Sequence, residues 1–337
     1  MIANIFVIGS GNIGSRHVQS LASLSSKLNI FVIDPNKENL DKTKKLFFDQ
    51  KFANRNNINI FFNQTIKKIQ DTIDLAFIST NSDVRRKVIQ ELISKNNVKN
   101  IIIEKVAFQK VKDFKHIINL LRKKNIRSYV NFPRRAYQSY QKLKKELFKE
   151  NFFFISHRIN HNFASNILHI LDLFSFLTNT KKVFVKDYNL NKTIYKSTRK
   201  GFIELKGSFK FYTNRGDILY CTGINDDNKK IIFGDHVRNK PNRQIKIETK
   251  NSTYTIFEGY QKILKTYYKK KIFYKTKLFK IPLQSKLTNV IVDELLKKNT
   301  TALPRLEETY DNHKMIIKIF SKHLRKYSKN ISGCPIT

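Results

Sequence analysis

Along the first 133 residues, short unbroken apolar runs alternate with longer segments of helical spacing. The runs are residues 2–8, 29–33, 58–62, 74–79, 100–104 and 127–132. Each is short and mainly apolar, the pattern of a buried strand in a parallel sheet. Between them, Val18, Leu21, Ala22 and Leu24 recur on one side of a helix, residues 37–50, 83–95 and 111–124 read as helices, and 64–70 as a short one. Strand, helix, strand in this order predicts βαβ units and a parallel sheet.

Beyond residue 133 the texture changes. Residues 136–149 read as a helix, 151–159 as a strand and 165–178 as an apolar helix. From 181 to 280 apolar and polar residues alternate, rich in Tyr, Phe, Thr and Ile, with turn signals at Asn214-Arg215-Gly216-Asp217 and Asn225-Asp226-Asp227-Asn228. Alternation of period two is the mark of half-buried, antiparallel strands. Residues 286–298 and 305–326 read as closing helices, with Pro304 suited to a first helical turn.

The segment between the first two strands carries the clearest chemistry. Gly9-Ser10-Gly11-Asn12-Ile13-Gly14 follows a strand and opens a helix, and Asp34 ends the next strand twenty positions beyond Gly14. Gly9 permits the tight turn, Gly11 lets the backbone approach a pyrophosphate, and Gly14 lets helix and strand pack closely. The helix N-terminus offers unpaired N–H groups to phosphates. Asp34 can accept hydrogen bonds from a ribose diol and would repel a 2′-phosphate, which favours NAD over NADP; a helix N-cap is its other reading. The predicted architecture is an α/β Rossmann domain over residues 1–132, followed by an α+β domain over 133–337 with a mainly antiparallel sheet.

Two further places carry candidate chemistry. Glu104-Lys105 follows an apolar strand, at the carboxyl end where ligands of open parallel sheets sit; a surface lysine is the plainer reading of Lys105. His169 and Asp172, three apart on an apolar helix, share a face. His169 has the chemistry of a general acid/base, with Asp172 placed to orient it; a hydrogen-bonded core histidine is the plainer reading.

Composition bounds the partners. Lys and Arg number 65 against 26 Asp and Glu, a net charge of +39. Such charge attracts polyanions. Yet Lys, Asn, Ile and Phe are abundant together and share A/T-rich codons, so compositional drift accounts for it. The lysines are also spread along the chain, without zinc-finger spacing, an RNP-like motif or basic heptads, which argues against nucleic acid as the partner. The longest apolar stretch, Asn166 to Leu177, is interrupted by His169 and Asp172, so no membrane span is expected. No secretory signal is expected either. Cys221 and Cys334 lack neighbours at metal spacing, so neither a metal site nor a disulfide framework is expected, and a cytoplasmic location fits.

Taken in order, these segments resemble the Gfo/Idh/MocA oxidoreductase family over nearly the whole chain. GSGNIGSRH at 9–17 is similar to the family's opening loop, and DLAFISTN at 74–81 to its fourth strand and nicotinamide-side loop. IIIEKVAF at 101–108 resembles the Glu-Lys-Pro motif, NFPRR at 131–135 a strand ending in an Arg pair, and SNILHILDL at 165–173 the His-x-x-Asp helix. QSKLT at 284–288 and LPRLEETYDNH at 303–313 resemble the closing helices of a branch associated with surface-polysaccharide biosynthesis.

The resemblance implies hydride exchange between NAD and a carbon of a sugar, cyclitol or nucleotide sugar. It gives Gly9, Ser10, Gly11, Asn12, Ile13, Gly14, Asp34, Thr80, Asn81, Glu104 and Lys105 to the cofactor. It also has Lys105 bond the reacting hydroxyl and His169 exchange its proton. Asn166 and Asp172 would orient substrate. Arg134, Arg135 and Arg158 are candidate anchors for an acidic or phosphorylated substrate, because a guanidinium fork suits such groups; solvated strand-end charges are the equal alternative. A homo-oligomer through the C-terminal sheet is also implied. Two positions depart from the pattern: Val106 stands where the family usually has Pro, and Ser165 where many members carry an acidic residue. The second departure motivates a different reading, an NAD-binding sensor or partner subunit without turnover. A nucleic-acid-binding protein is the remote third.

Overall fold

The computed structural model describes residues 2–49, 57–159, 162–224, 244–268, 272–327 and 333–337. The chain forms two compact units: Met1–Ala136 with Pro282–Tyr310 and Thr337, and Tyr137–Ile281 with Asp311–Ile336. The sequence pattern places one change of texture near 132; the contacts place it at 136 and bring a later segment back to the first unit.

The first unit is built on six parallel strands: β1 (Ala3–Ile8), β2 (Leu28–Ile33), β3 (Ile58–Asn63), β4 (Leu75–Ile78), β5 (Asn100–Ile103) and β6 (Arg127–Val130). Their order is β3-β2-β1-β4-β5-β6. Helices α1 (Asn12–Leu21), α2 (Lys37–Phe48), α3 (Arg85–Lys95) and α4 (Val111–Lys123) cross between them. The central strands are buried along their length, Ile5, Val7, Leu75, Ile78 and Ile103 being inaccessible. That is why their sequences are continuous apolar runs rather than alternating ones. The strand order reverses between β1 and β4, so the crevice at their carboxyl ends is where such a sheet takes a ligand.

The helix expected over 64–70 does not form. Asn96, which ends α3, uses its side chain there instead: Oδ1 accepts from Ile69 N at 2.9 Å and Nδ2 donates to Lys67 O at 3.2 Å. These bonds satisfy backbone groups that a helix would otherwise pair, and Ile66 anchors the segment by burial.

The second unit contains α5 (Gln138–Leu147), β7 (Phe153–Ile159), α6 (Phe163–Thr178), β8 (Phe184–Leu190), a short hairpin of β9 (Tyr195–Lys196) and β10 (Ile203–Glu204), β11 (Gly207–Tyr212), β12 (Ile218–Ile224), β13 (Gln244–Glu248), β14 (Ser252–Phe257), β15 (Lys262–Tyr268) and β16 (Ile272–Leu278). Eight of these strands form one sheet in the order β16-β15-β14-β13-β7-β12-β11-β8. Only β7 and β12 pair in parallel; the other neighbours are antiparallel. The turn signal at 214–217 is the β11–β12 hairpin, with Gly216 at φ +94°. The signal at 225–228 lies outside the described residues.

The alternation along these strands is the signature of a sheet covered on one face. Phe154, Phe209, Phe211, Leu219, Cys221, Ile245 and Ile247 are buried, and Phe154 meets Phe174 of α6 at a centroid distance of 6.0 Å. Gly223 on β12 permits a close approach, since a Cβ there would lie 2.4 Å from the Phe163 ring. The other face carries Phe153, Tyr212 and Tyr220, exposed by 49%, 38% and 44%. Phe153 and Tyr212 share a row through Ile218, and Phe184 stacks on Tyr212 at 5.3 Å.

From Pro282 the chain rejoins the first unit. Helix α7 (Thr288–Lys298) lies along α1, with Asn289 N donating to Ser20 Oγ and Asn289 Nδ2 to Ser23 Oγ, each at 2.9 Å. Residues 304–306 then pair with β6 through Val130 N to Pro304 O and Leu306 N to Ser128 O, covering an edge strand. Helix α8 (Tyr310–Tyr327) ends the helical part of the chain. Helices α6 and α7 stop at Asn179 and Asn299, at φ 54° and 57°. In a chain with only ten glycines, asparagine supplies the left-handed helix end. Among the described residues no helix is long and apolar enough to cross a membrane.

Candidate active site

In the first unit, the loop between β1 and α1 is built as its glycines require. Gly9 sits at φ +91°, and a Cβ there would lie 2.7 Å from Thr80 N. At Gly14 an added Cβ would lie 1.8 Å from Gly9 O, so the helix approaches its own loop closer than any side chain allows. Around Gly11, by contrast, an added Cβ meets nothing within 4 Å. The space that the sequence reserves for a pyrophosphate is open.

Asp34 is turned into this loop. Its Oδ2 accepts from Ser10 N at 2.7 Å, its Oδ1 from Asn36 N at 2.9 Å, and both oxygens from Asn39 Nδ2 at 3.3–3.4 Å. Thr43 Oγ1 donates to Ser10 O at 3.0 Å and ties the same turn to α2. The cap of α2 is Asn36, which accepts from Glu38 N and Asn39 N, so Asp34 is not the N-cap. The carboxylate fixes the loop's shape and sits beside the first strand's end, where a ribose would lie in this fold.

Three hydroxyl atoms around the loop are buried without a partner among the described residues: Ser10 Oγ, Ser79 Oγ and Thr80 Oγ1. Buried polar atoms left unsatisfied are costly and point to a missing partner. Together with the open space at Gly11, they fit the phosphates and ribose of a dinucleotide. Asn12 is exposed and Ile13 half-buried at the start of α1; Asn81 is exposed beside Thr80.

The loops after β4 and β5 are joined by a residue that sequence reading passed over. Arg85 is 1% exposed. Its Nε and Nη2 donate to Thr80 O at 2.9 and 2.6 Å, and its Nη1 donates to Glu104 O at 2.6 Å and to Val106 O. One guanidinium thus fixes both flanks of Lys105 and the Thr80 turn. The Lys105–Val106 peptide bond is cis.

Glu104 is buried within a polar chain. Its Oε1 lies 3.1 Å from His17 Nε2 and 2.5 Å from Asn131 Nδ2. His17 Nδ1 lies 2.8 Å from Thr288 Oγ1, and the ring stacks on Phe77 at 4.5 Å. Burial alone would raise the Glu104 carboxyl; the hydrogen bond and charge of His17, then Asn131 and Arg85, hold it below its ordinary value of 4.5. Glu104 therefore acts inside the fold, holding the strand that carries Lys105. The signal for His17 was present in the sequence, since it closes the 9–17 motif. Arg85, one basic residue among 65, gave none.

Arg134 and Arg135 lie in the 3-10 turn Pro133–Ala136, both half-buried, and Arg135 approaches Glu308 at 4.0 Å. In the second unit, α6 carries Asn166, His169 and Asp172. His169 is half-buried and Asp172 buried. Asn166 Nδ2 donates back to Asn162 O at 2.6 Å, so the amide serves the start of its own helix. Arg158 belongs to β7, with its side chain outside the described residues.

At the start of α6 the fold supplies a carboxylate that no motif places there. Glu204 of β10 accepts from Ala164 N at 2.9 Å and Ser165 N at 3.4 Å through Oε2, and the Ser165 hydroxyl bonds it as well. The long separation along the chain, 39 residues for Ser165, hides this pair from any motif.

Residues 3–132 match the model of the oxidoreductase family with NAD-binding Rossmann fold. No curated protein sequence matches the chain. Among solved structures, UDP-N-acetylglucosamine 3-dehydrogenase from Acidithiobacillus ferrooxidans shares the fold at TM-score 0.66 and 12% identity, over 94% of this chain and 96% of its own. An oxidoreductase from Agrobacterium radiobacter, in complex with NAD+, L-tartaric acid and magnesium, does so at 0.70 and 13%, over 97% and 96%. The super-repressor mutant of Gal80p from Saccharomyces cerevisiae does so at 0.70 and 12%, over 97% of each chain. The glycine loop, the six-stranded parallel sheet and the matched residues 3–132 identify the first unit of this chain with the NAD-binding Rossmann domain of the Gfo/Idh/MocA oxidoreductases.

Proposed function

We propose that this protein is an NAD-dependent oxidoreductase acting on a hydroxyl or carbonyl carbon of a sugar or nucleotide sugar. The observation that carries the cofactor choice is Asp34: a negative charge bonded to Ser10 N at the glycine loop opposes a 2′-phosphate and so favours NAD over NADP. Gly11, Ser10, Ser79 and Thr80 would hold the dinucleotide. When bound, its nicotinamide supplies the two-electron redox chemistry. The chain's own groups do the rest. Lys105, held by the Arg85 clamp, donates a hydrogen bond to the reacting oxygen and stabilises negative charge on it. His169 takes the hydroxyl proton in oxidation and returns it in reduction. Arg134, Arg135 and Arg158 are assigned to anionic groups of the substrate.

The sugar class rests on the resemblance of the motifs and on the shared fold with a dehydrogenase of a UDP-sugar. The test is a screen of UDP- and other nucleotide sugars with NAD+, following nicotinamide absorbance. Turnover is expected with at least one, lost in Lys105→Met and His169→Ala while NAD binding persists. Full activity in both variants would sink these assignments.

A second reading, an NAD-binding protein without turnover, is favoured by Ser165 in place of an acidic residue. It predicts NAD binding with no reduction across the whole panel. The exposed Phe153 and Tyr212, in one row with the half-buried Ile218, support a homo-oligomer formed through the second unit's sheet.

A further inference from the structure

We propose that Glu204 is the positioning carboxylate for His169, acting through the hydroxyl of Ser165. This rests on the oxidoreductase reading for its role in turnover, but not for the contact itself. Ser165 lies one helical turn before His169 on α6, so their side chains share a face with Cβ atoms roughly 5–6 Å apart. A hydroxyl there reaches an imidazole nitrogen on one side and a carboxylate on the other. Glu204 supplies that carboxylate from β10, bonded to the Ser165 hydroxyl and to the backbone N–H groups of residues 164 and 165.

The location is built for the purpose. Glu204 is 3% exposed and Lys206 beside it 4%. The hairpin end is fixed by Ile203 N donating to Pro335 O of the C-terminal tail at 2.9 Å, and Cys334 in that tail is fully buried. Burial raises the Glu204 carboxyl above its ordinary value, against the lowering effect of the Ser165 and Ala164 hydrogen bonds and of Lys206. A carboxylate used only as a helix cap would gain nothing from being buried beside a lysine; capping is done as well by an exposed Asp or Ser.

The chemistry follows from the proton balance. In substrate oxidation the hydroxyl O–H bond breaks, an N–H bond forms on His169, and the carbon-bound hydrogen leaves with its electron pair for NAD+, the oxidant of the proposed activity. His169 then carries a positive charge on a largely apolar helix. The Ser165 hydroxyl donates to Glu204 and accepts from the imidazolium, so the ring is oriented and its charge offset. Titratable groups on the elements packed against α6 include Tyr140, Lys142, Lys144, Lys145 and Glu146 of α5, His157 of β7, and Tyr220 and Cys221 of β12, with Asp172 on α6 itself and Lys206 and Cys334 beside Glu204. Lys144 is bonded to Asn179 at the far end of the helix.

The experiment compares wild type, Ser165→Ala, Ser165→Thr and Glu204→Gln as full-length proteins. The imidazole resonance of His169 is assigned by its loss in His169→Ala and titrated by NMR. Ser165→Ala keeps both backbone bonds to Glu204 and so keeps the cap. The His169 titration is expected to fall by roughly 0.5–1 unit in Ser165→Ala and Glu204→Gln, and to stay near wild type in Ser165→Thr. Where a nucleotide sugar is turned over, kcat is expected to fall about tenfold in both, with the acid limb of the pH profile displaced the same way and KM little changed. An unchanged titration and pH profile in folded Ser165→Ala overturns the proposal while leaving the oxidoreductase reading intact. A shifted titration in a protein that turns over no substrate supports the contact and overturns the activity. If Glu204→Gln does not fold, Ser165→Ala alone decides.

Discussion

Arg85→Met removes the donors that join the loops after β4 and β5 and keeps an apolar stem of similar reach. In the native chain the guanidinium makes four hydrogen bonds to three carbonyl oxygens, those of Thr80, Glu104 and Val106. A hydrogen bond from a charged group contributes about 1.5–3 kcal/mol, and each buried carbonyl left unpaired costs about 1–3 kcal/mol. These are not additive, because the half-exposed Thr80 turn can shift toward water and because burying a cation is itself costly. The net expectation is a loss of about 3–5 kcal/mol. At urea slopes of about 2–3 kcal/mol/M, this lowers the unfolding midpoint by roughly 1–2 M. NAD affinity, read from nicotinamide fluorescence, is expected to fall about tenfold as the Thr80 and Lys105 loops lose their common brace. Arg85→Lys is not expected to rescue, since one ammonium cannot span three carbonyls set by a planar fork. A Met variant whose midpoint lies within about 0.3 M of wild type, with unchanged NAD affinity, refutes the clamp.

Other outcomes follow from the same geometry. Gly14→Ala places a Cβ 1.8 Å from Gly9 O and is expected to abolish NAD binding and lower the melting temperature, whereas Gly11→Ala enters open space and is expected to melt like wild type yet bind NAD at least about tenfold more weakly. Glu104 has a carboxyl held below 4.5, so its ionised form contributes stability above that pH that is lost as pH falls through the lower folded value. Glu104→Gln is therefore expected to cost about 3 kcal/mol near neutral pH and progressively less in acid, read by urea unfolding at both; an equal cost at both would contradict the assignment. Phe153→Glu with Tyr220→Glu puts charge on the open sheet face and is expected to reduce the mass measured by light scattering to that of one chain, with no change in NAD affinity; an unaltered mass rules out this face as the interface.

The sequence by itself determined the parts whose physics is local. Continuous apolar runs mean strands covered on both faces, and alternating ones mean a sheet covered on one. Gly9 and Gly14 sit where no Cβ fits, so their spacing by itself marks the loop. The helix expected over 64–70 failed for the opposite reason: its residues are partnered by the side chain of Asn96, some 27 to 29 residues away, which no local pattern contains.

Tertiary structure alone decided the supporting residues. Arg85 gave no sequence signal, because a buried guanidinium is indistinguishable in sequence from the basic surface of so charged a chain. The return of 282–310 to the first unit, and the hairpin that brings Glu204 to Ser165, depend on contacts between distant segments. Such contacts form only where hydrophobic burial of whole elements has already brought the segments together, so the polar pairs they create leave no periodicity behind. Asp34 shows both levels at once: its place at the end of β2 was legible in the sequence, but its grip on the Ser10 backbone appeared only in the fold.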